Sequence, residues 1–234
     1  MNDFSQAFLK AAQLILQFDE GLIEIVTLSL QVSMTAVFIA SMISLPLGAA
    51  LALYKFHGRG LVVALLNTFM GLPPVVVGLV VYLILSRSGP LGALGLLFTP
   101  TAMIIAQVCL IAPIIAALTR QTILDANDEC HEQLRALGAR SSSMMGTLLW
   151  ETRYSLVTNV FAGFGRAIAE VGAVLIVGGN INHSTRVMTT AIALETSKGD
   201  IELALALGMI LIMLSLIVTS AVMSARHAAY KIYS

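Results

Sequence analysis

Charged residues are scarce in this sequence: Asp, Glu, Lys and Arg make up 11% of its 234 residues, whereas apolar residues make up 58%. An ordinary soluble domain carries about 25% charged residues. A soluble fold of this length could not cover its surface with so few charges, so the composition excludes an ordinary globular domain and indicates an apolar solvent. The formal net charge is zero, so the total charge gives no reason to expect a nucleic-acid partner.

Cysteine and histidine are also few, with two and four copies. Cys109 lies in an apolar run, Cys130 lies in a polar segment, and the histidines are scattered singly, so no spacing typical of a disulfide framework or a metal site occurs. The sequence also has no Gly-x-x-x-x-Gly-Lys-Ser/Thr phosphate loop, which predicts that the chain binds no nucleotide. We therefore expect this chain to bind neither a cofactor nor a metal.

Long apolar segments are what the sequence does contain. A bilayer core about 30 Å thick needs about 20 mostly apolar residues to be crossed by a helix. Five segments meet that test: 23–54, 61–85, 101–118 (with an extension toward Leu124 left open), 156–177 and 201–223. The expected fold is therefore an all-α polytopic membrane protein with about five spanning helices, all belonging to one membrane domain.

A shorter segment, 4–18, precedes these spans. In it Phe8, Leu9, Ala12 and Leu16 are apolar at helical spacing. The segment is short and interrupted by polar residues, so an amphipathic helix at the membrane interface is predicted, with a sixth span as the alternative. The predicted division of the chain is an N-terminal amphipathic segment, 1–20, and a transmembrane domain, 21–234.

Lysine and arginine are unevenly distributed between the connections. With five spans, one side of the membrane receives eight of them and the other side receives four. The first set is Lys55, Arg59, Arg120, Arg135, Arg140, Arg153, Arg226 and Lys231, and the second is Lys10, Arg87, Arg186 and Lys198. Because cytoplasmic loops are enriched in basic residues, we expect the first set, the polar segment 121–153 and the C-terminus in the cytoplasm, and the N-terminus outside.

The second predicted span contains Gly71, Pro73, Pro74 and Gly78. Consecutive prolines remove backbone donors and are expected to kink the helix. The freed carbonyls must then be satisfied by neighbouring helices or by water in a cavity. Two interpretations stay open, a static packing kink and a kink that borders a transport path.

Arg166 and Glu170 are the only ion-forming pair deep in any predicted span. At positions i and i+4 of a helix they would share one face and could pair. They are expected to face the interior of the bundle, because charge exposed to lipid is costly. A structural clamp between helices is favoured over a ligand for a substrate.

The polar segment 121–153 has the pattern of two short helices joined by a glycine. The first helix would begin at a cap within 125–128 and end before Gly138, and the second would run from the serines at 141–143 to Trp150. The candidate caps are Asp125, Asn127 and Asp128, and the apolar stripe is Cys130, Leu134 and Leu137. An apolar stripe of this kind on a cytoplasmic segment is expected to bind in a groove of a partner protein. The alternative is that the segment is a solvated hairpin folded back against the bundle.

A family resemblance begins in this segment. Residues 132–138, Glu-Gln-Leu-Arg-Ala-Leu-Gly, resemble the EAA loop of ABC importer permeases, whose pattern is Glu-Ala-Ala, three residues and Gly. Segments 72–78, 169–173 and 178–181 are similar to segments of the molybdate and tungstate importer permeases, and 185–192 is closer to the tungstate branch. The chain is thus identified as a member of this oxyanion-importer family.

The resemblance implies the type I ABC importer transmembrane fold and a permease subunit that imports a tetrahedral oxyanion, tungstate or molybdate. It implies a second copy of the chain, two ATPase subunits that bind ATP and Mg, and an extracytoplasmic substrate-binding protein as partners. The segment 125–138 would then be the coupling helix. The residues it would present to the ATPase are Glu132, Leu134, Leu137 and Gly138.

Two other classes of membrane protein fit the sequence less well. An ion-coupled secondary transporter would use buried ionisable groups and paired broken helices, but Glu170 is the only candidate carboxylate and no inverted repeat is visible. A membrane-embedded enzyme would need His, Asp or Ser residues converging at similar depth, and the predicted spans contain no such set.

Overall fold

The structure, a computed structural model, describes residues 2–17, 19–136 and 141–233, with side chains described for 9–17, 19–128, 144–220 and residue 224. All regular structure in these ranges is helical. The helices are α1 (Asn2–Leu16), α2 (Glu20–Leu53), α3 (Arg59–Met70), α4 (Pro74–Leu85), α5 (Pro100–Ala136), α6 (Ser141–Glu151), α7 (Arg153–Ile168), α8 (Gly172–Gly178), α9 (Met188–Lys198) and α10 (Ile201–Tyr233), with a 3-10 turn at Gly92–Leu94.

Three of these helices, α2, α5 and α10, contain stretches long and apolar enough to cross a membrane. Two pairs, α3 with α4 and α7 with α8, pass the same test together, each pair being broken over four residues or fewer. Counting each pair as one span brings the total to five. The predicted all-α fold with about five spans is confirmed.

The helix α5 is longer than predicted. It runs without a break for 37 residues to Ala136, whereas the span was expected to end at Leu118 or Leu124. The prediction of a separate helix capped within 125–128 is therefore wrong. A polar side chain can cap a helix only where the backbone leaves the helical conformation, and no glycine or proline between Pro113 and Gly138 interrupts it.

The helix α9 was not predicted, because it lies in the connection between the fourth and fifth apolar segments. It begins at Met188 and ends before Gly199, whose φ of 86° is left-handed and favours glycine. Its first turn and Glu195 are buried. Much of this connection is therefore packed rather than exposed.

The chain forms two compact units, each made of three segments. The first unit consists of Met1–Ala36, Pro73–Gln107 and Ala167–Ile217. The second unit consists of Val37–Leu72, Val108–Arg166 and Val218–Ser234. Most of the polar contacts described below lie within the first unit.

The helix α1 is held within the first unit. Lys10 Nζ lies 2.5 Å from Glu202 Oε1 of α10, and Ala11 is fully buried. Leu9 and Leu16, in contrast, are mostly exposed. The predicted N-terminal helix is therefore present, while its position at a membrane interface stays a prediction.

In the second unit the end of α2 approaches α5 closely. A Cβ on Gly48 would lie 2.5 Å from the carbonyl oxygen of Ala116, so only glycine fits this contact. Ser44 Oγ of α2 donates to the carbonyl of Ala112, at 2.9 Å. Arg59 donates to the carbonyls of Leu51 and Ala52 and so supplies partners for the last turn of α2.

Candidate functional site at the helix breaks

The fourth predicted span is interrupted inside the membrane-spanning region. The helix α7 ends at Ile168, α8 begins at Gly172, and Glu170 lies between them, 3% exposed. Arg166 lies in the last turn of α7. The prediction that Arg166 and Glu170 share a face of one continuous helix is therefore wrong, because the helical ladder stops between them; their pairing itself stays a prediction.

Hydrogen bonds to side chains satisfy the backbone of this break. Gln107 Nε2 donates to the carbonyl of Ala167 at 3.1 Å, and Thr189 Oγ1 donates to the carbonyl of Glu170 at 2.8 Å. The amide of Ala173 in the first turn of α8 donates to Glu170 Oε1 at 3.1 Å. An unsatisfied backbone group in lipid costs several kcal/mol, so Gln107 and Thr189 stabilise a chain path that a lone span could not adopt.

Neither Gln107 nor Thr189 was predicted as a site residue. Gln107 did carry a signal, because it is the only amide or charged residue in the segment 101–118. A buried amide in an apolar span needs a partner elsewhere in the bundle. Thr189 carried no such signal, since it lies in a connection where polar residues are ordinary.

The second predicted span is broken rather than kinked. The helix α3 ends at Met70 and Gly71 follows as its cap, while Pro73 has extended backbone and precedes Pro74, the first residue of α4. Proline is favoured at a first helical position, because its missing N–H would have no helical partner there. That this break borders a transport path stays a prediction.

The helices α4 and α8, which follow the two breaks, pack closely in the first unit. A Cβ on Gly78 would lie 2.7 Å from the Cα of Ala173, and a Cβ on Gly172 would lie 2.9 Å from Cγ2 of Val75. Glycines permit such close approach of backbones in membrane proteins. The structure thus brings Gly78, predicted from the second span, against the first turn of α8.

A charge cluster around the buried carboxylate of Glu195 lies beside α9, also in the first unit. Glu195 Oε1 is 3.0 Å from Lys198 Nζ and 3.8 Å from Arg186 Nη1, and the Glu195 side chain is only 7% exposed. Two cations around one carboxylate leave this cluster one positive charge in excess. In the part of the chain with described side chains, no group of three or more His, Cys, Asp or Glu could hold a metal ion.

The residues predicted to couple the chain to an ATPase lie at and beyond the end of α5. Glu132 and Leu134 belong to its last turns, whereas Leu137 and Gly138 lie outside the described residues. The second predicted helix is confirmed as α6, which begins at Ser141.

The helix α6 is anchored within the second unit. Its Met144 and Leu148 are buried in a cluster with Ala49 and Ala52 of α2 and Ile123 of α5. Trp150, at the end of α6, is 71% exposed and stacks with the guanidinium of Arg153, whose Cζ is 4.8 Å from the ring centroid. One face of α6 therefore packs against the rest of the second unit, whereas Trp150 at its end stays exposed.

Comparisons with known proteins agree on one family. Residues 44–227 match the family described as "Binding-protein-dependent transport system inner membrane component". The chain is 42% identical over 224 residues to the tungstate uptake system permease protein TupB of Peptoclostridium acidaminophilum, covering 96% of this chain and 98% of the relative. It is 36% identical over 208 residues to TupB of Campylobacter jejuni, covering 89% and 87%.

A further relative is the probable anion ABC transporter permease protein of Haloferax volcanii, 44% identical over 200 residues that cover 83% of this chain and 86% of the relative. Each of the three alignments covers well over two thirds of this chain and of the relative. The protein therefore belongs to the binding-protein-dependent transport system inner membrane components, the ABC permeases, and has their type I importer transmembrane fold.

Proposed function

We propose that this chain is the permease subunit of an ATP-driven importer that carries tungstate, or the similar tetrahedral oxyanion molybdate, across the cytoplasmic membrane. The observation that carries the proposal is the likeness to two tungstate uptake permeases over 98% and 87% of their lengths. Likeness over nearly the whole chain includes the spans that form a path as well as the segment that would couple it to ATP. No observation favours the ion-coupled secondary transporter.

The proposed partners follow from the family. Its description names a transport system that depends on a binding protein, so an extracytoplasmic substrate-binding protein would deliver the oxyanion. A second copy of this chain would complete the path, and two ATPase subunits would bind ATP and Mg²⁺. This sequence has no phosphate loop, so the chain would move the oxyanion without itself catalysing hydrolysis.

The charge cluster at α9 suits an anion on the proposed outer side. Arg186 and Lys198 belong to the set of basic residues predicted to lie outside, and Glu195 neutralises only one of the two charges. A net positive charge attracts an arriving anion over about 8 Å at physiological ionic strength. The buried Glu170, in contrast, would repel an anion brought next to it.

The coupling segment is proposed at 125–138. Its described part is the unbroken continuation of α5, the helix that also carries Gln107. The segment therefore belongs to the same helix as Gln107, with Pro113 between them. The anchored helix α6 supports the other end of the segment through Leu148.

Two substitutions test the coupling role. A left-handed residue after Ala136 is expected at Gly138, where any side chain costs about 1 kcal/mol and an aspartate adds about 0.3–1 kcal/mol at a helix C-terminus. This cost is small compared with the stability of the whole fold, but large compared with the free energy of docking the segment 125–138 against an ATPase. Gly138→Asp and Glu132→Lys should therefore insert at near-normal levels but retain less ATPase subunit on purification and import little oxyanion.

A charge reversal elsewhere serves as the matched control. Glu20 is exposed in the first turn of α2, and Glu20→Lys should leave both ATPase retention and uptake close to wild type. Uptake is measured as cell-associated tungsten and molybdenum in cells that also express the ATPase and the binding protein. If Gly138→Asp and Glu132→Lys both keep full uptake and full ATPase retention, the segment does not couple; if wild-type cells import neither element, the proposed substrate is wrong.

A further inference from the structure

Trp150, the only tryptophan in the sequence, lies at the junction of α6 and α7 with most of its side chain exposed. Only Thr152 separates the two helices. The amide of Thr152 donates to the carbonyl of Leu148, and the amide of Leu156 donates to that of Thr152, each at 2.9 Å. These are the hydrogen bonds of a continuous helix, so the helical spacing of side chains carries over from α6 into α7.

A cation lies between two aromatic rings at this junction. Cζ of Arg153 is 4.8 Å from the centroid of the Trp150 ring and 4.6 Å from the centroid of the Tyr154 ring. Nη1 of Arg153 also donates to the carbonyl of Trp150, at 2.7 Å. Trp150, Arg153 and Tyr154, here called the Trp150 cluster, thus combine two apolar rings with a positive charge held against both.

The exposed side of the cluster continues into the spanning region. Tyr154 and Val157 follow Trp150 at intervals of four and three residues, which places the three side chains on one helix face, and all three are exposed. Leu156, on the other side of the helix, is buried. Since α7 and α8 together pass the test for one broken span, the Trp150 cluster lies where an exposed face of that span begins.

The chemistry of the cluster favours lipid as the group that covers it. Tryptophan and tyrosine are enriched at membrane–water interfaces, because each has an apolar ring and a polar end. Arginine packs its stem on apolar groups and keeps its charge at the polar boundary. On the side predicted to be cytoplasmic, the negative surface potential of the leaflet attracts such a cation.

The position of Trp150 favours lipid over an ATPase. A helix rises about 1.5 Å per residue, so Trp150 is about 14 Å along α6 from Ser141. The proposed coupling segment, 125–138, precedes Ser141, whereas the Trp150 end of α6 joins the span. The coupling segment and the Trp150 cluster therefore flank α6 at opposite ends.

We propose that the Trp150 cluster is a lipid-binding surface, with the rings of Trp150 and Tyr154 inserted among the upper acyl chains of the cytoplasmic leaflet and the guanidinium of Arg153 at the level of the lipid phosphates. This contact holds the end of α6 at the membrane surface. The inference goes beyond the proposed transport function and does not depend on which oxyanion is carried.

The test is tryptophan fluorescence of the full-length protein in nanodiscs of phosphatidylcholine and phosphatidylglycerol. All of the tryptophan emission comes from Trp150. Bromine atoms on the acyl chains close to the glycerol should lower this emission severalfold, and bromine atoms close to the chain ends should lower it less. Addition of the ATPase subunits should leave the quenching unchanged.

A reference variant calibrates the depth. Ile212 is exposed near the middle of the span Ile201–Ser220, so Trp150→Phe with Ile212→Trp should show the reverse order, with the strongest quenching from bromine at the chain ends. The wild-type measurement decides the proposal even if this variant fails to fold.

Three results would overturn the proposal. If acrylamide in the water quenches Trp150 and brominated lipid does not, the cluster faces solvent. If neither quencher acts, protein covers the cluster, as in an interface with a second copy of the chain. If brominated lipid quenches Trp150 only until the ATPase subunits are added, the cluster is an ATPase contact rather than a lipid-binding surface.

Discussion

The close contact between α4 and α8 predicts that Gly78→Ala destabilises the protein. The added Cβ would lie 2.7 Å from the Cα and 3.1 Å from the carbonyl oxygen of Ala173. Carbon atoms prefer a separation of about 3.5–4.0 Å, so the two helices must move apart by about 1 Å. Both nearest atoms belong to the backbone, so no side-chain rotation can relieve the clash.

The size of the effect follows from two opposing contributions. Overpacking of this kind costs about 1–3 kcal/mol, while alanine in a helix interior is favoured over glycine by about 1 kcal/mol. Because backbone must move, the upper end of the cost applies, and the net loss is about 2 kcal/mol. For a protein of this size, that lowers the melting temperature by about 4–8 °C.

The control is Gly208→Ala in α10. An added Cβ at Gly208 meets no atom within 4 Å, so only the helix preference of about 1 kcal/mol remains, and the melting temperature should stay level or rise. Both variants are heated in detergent, and the folded fraction is measured by size-exclusion chromatography. If Gly78→Ala is as stable as Gly208→Ala, then α4 and α8 are not in the contact described, and the glycine has no packing role.

Two predictions made from the sequence remain to be measured. In an otherwise cysteine-free protein, Ser88→Cys and His183→Cys should react with a membrane-impermeant thiol reagent added to intact cells, and Ser141→Cys only after permeabilisation; reaction of Ser141→Cys in intact cells would refute the proposed orientation. Arg166→Ala should reduce the yield of folded protein more than Arg166→Ala with Glu170→Ala, because a buried charge left without its partner costs about 3–5 kcal/mol. A double variant with equal or lower yield would show that the two residues do not pair.

Hydropathy predicted the spans well because the requirement it detects acts within each segment of the sequence. A bilayer requires each crossing segment to be apolar over about 20 residues, and this requirement acts on every segment separately. The five predicted segments accordingly match α2, α5, α10 and the two broken pairs. The overlong α5 could also have been predicted, since its sequence from 114 to 137 contains neither glycine nor proline.

The two breaks differ in how far they could be predicted. Pro73 and Pro74 remove backbone donors at their own positions, so a disruption there was predicted, although not that the helix would end completely. The break after Ile168 has no proline near it. Its carbonyls are satisfied by Gln107, 60 residues away in sequence, and by Thr189, 19 residues from Glu170.

Composition and apolar periodicity therefore specify a helical membrane protein of about five spans, and the segments around 72–78 and 132–138 carry its family resemblance. The tertiary structure was needed for the break at Glu170, the contact of Gly78 with Ala173 and the hydrogen bond from Gln107 to the carbonyl of Ala167. In lipid a helix can end only where another segment supplies hydrogen-bond partners for its freed backbone. Which segment does so depends on how the helices pack, and no single segment contains that information.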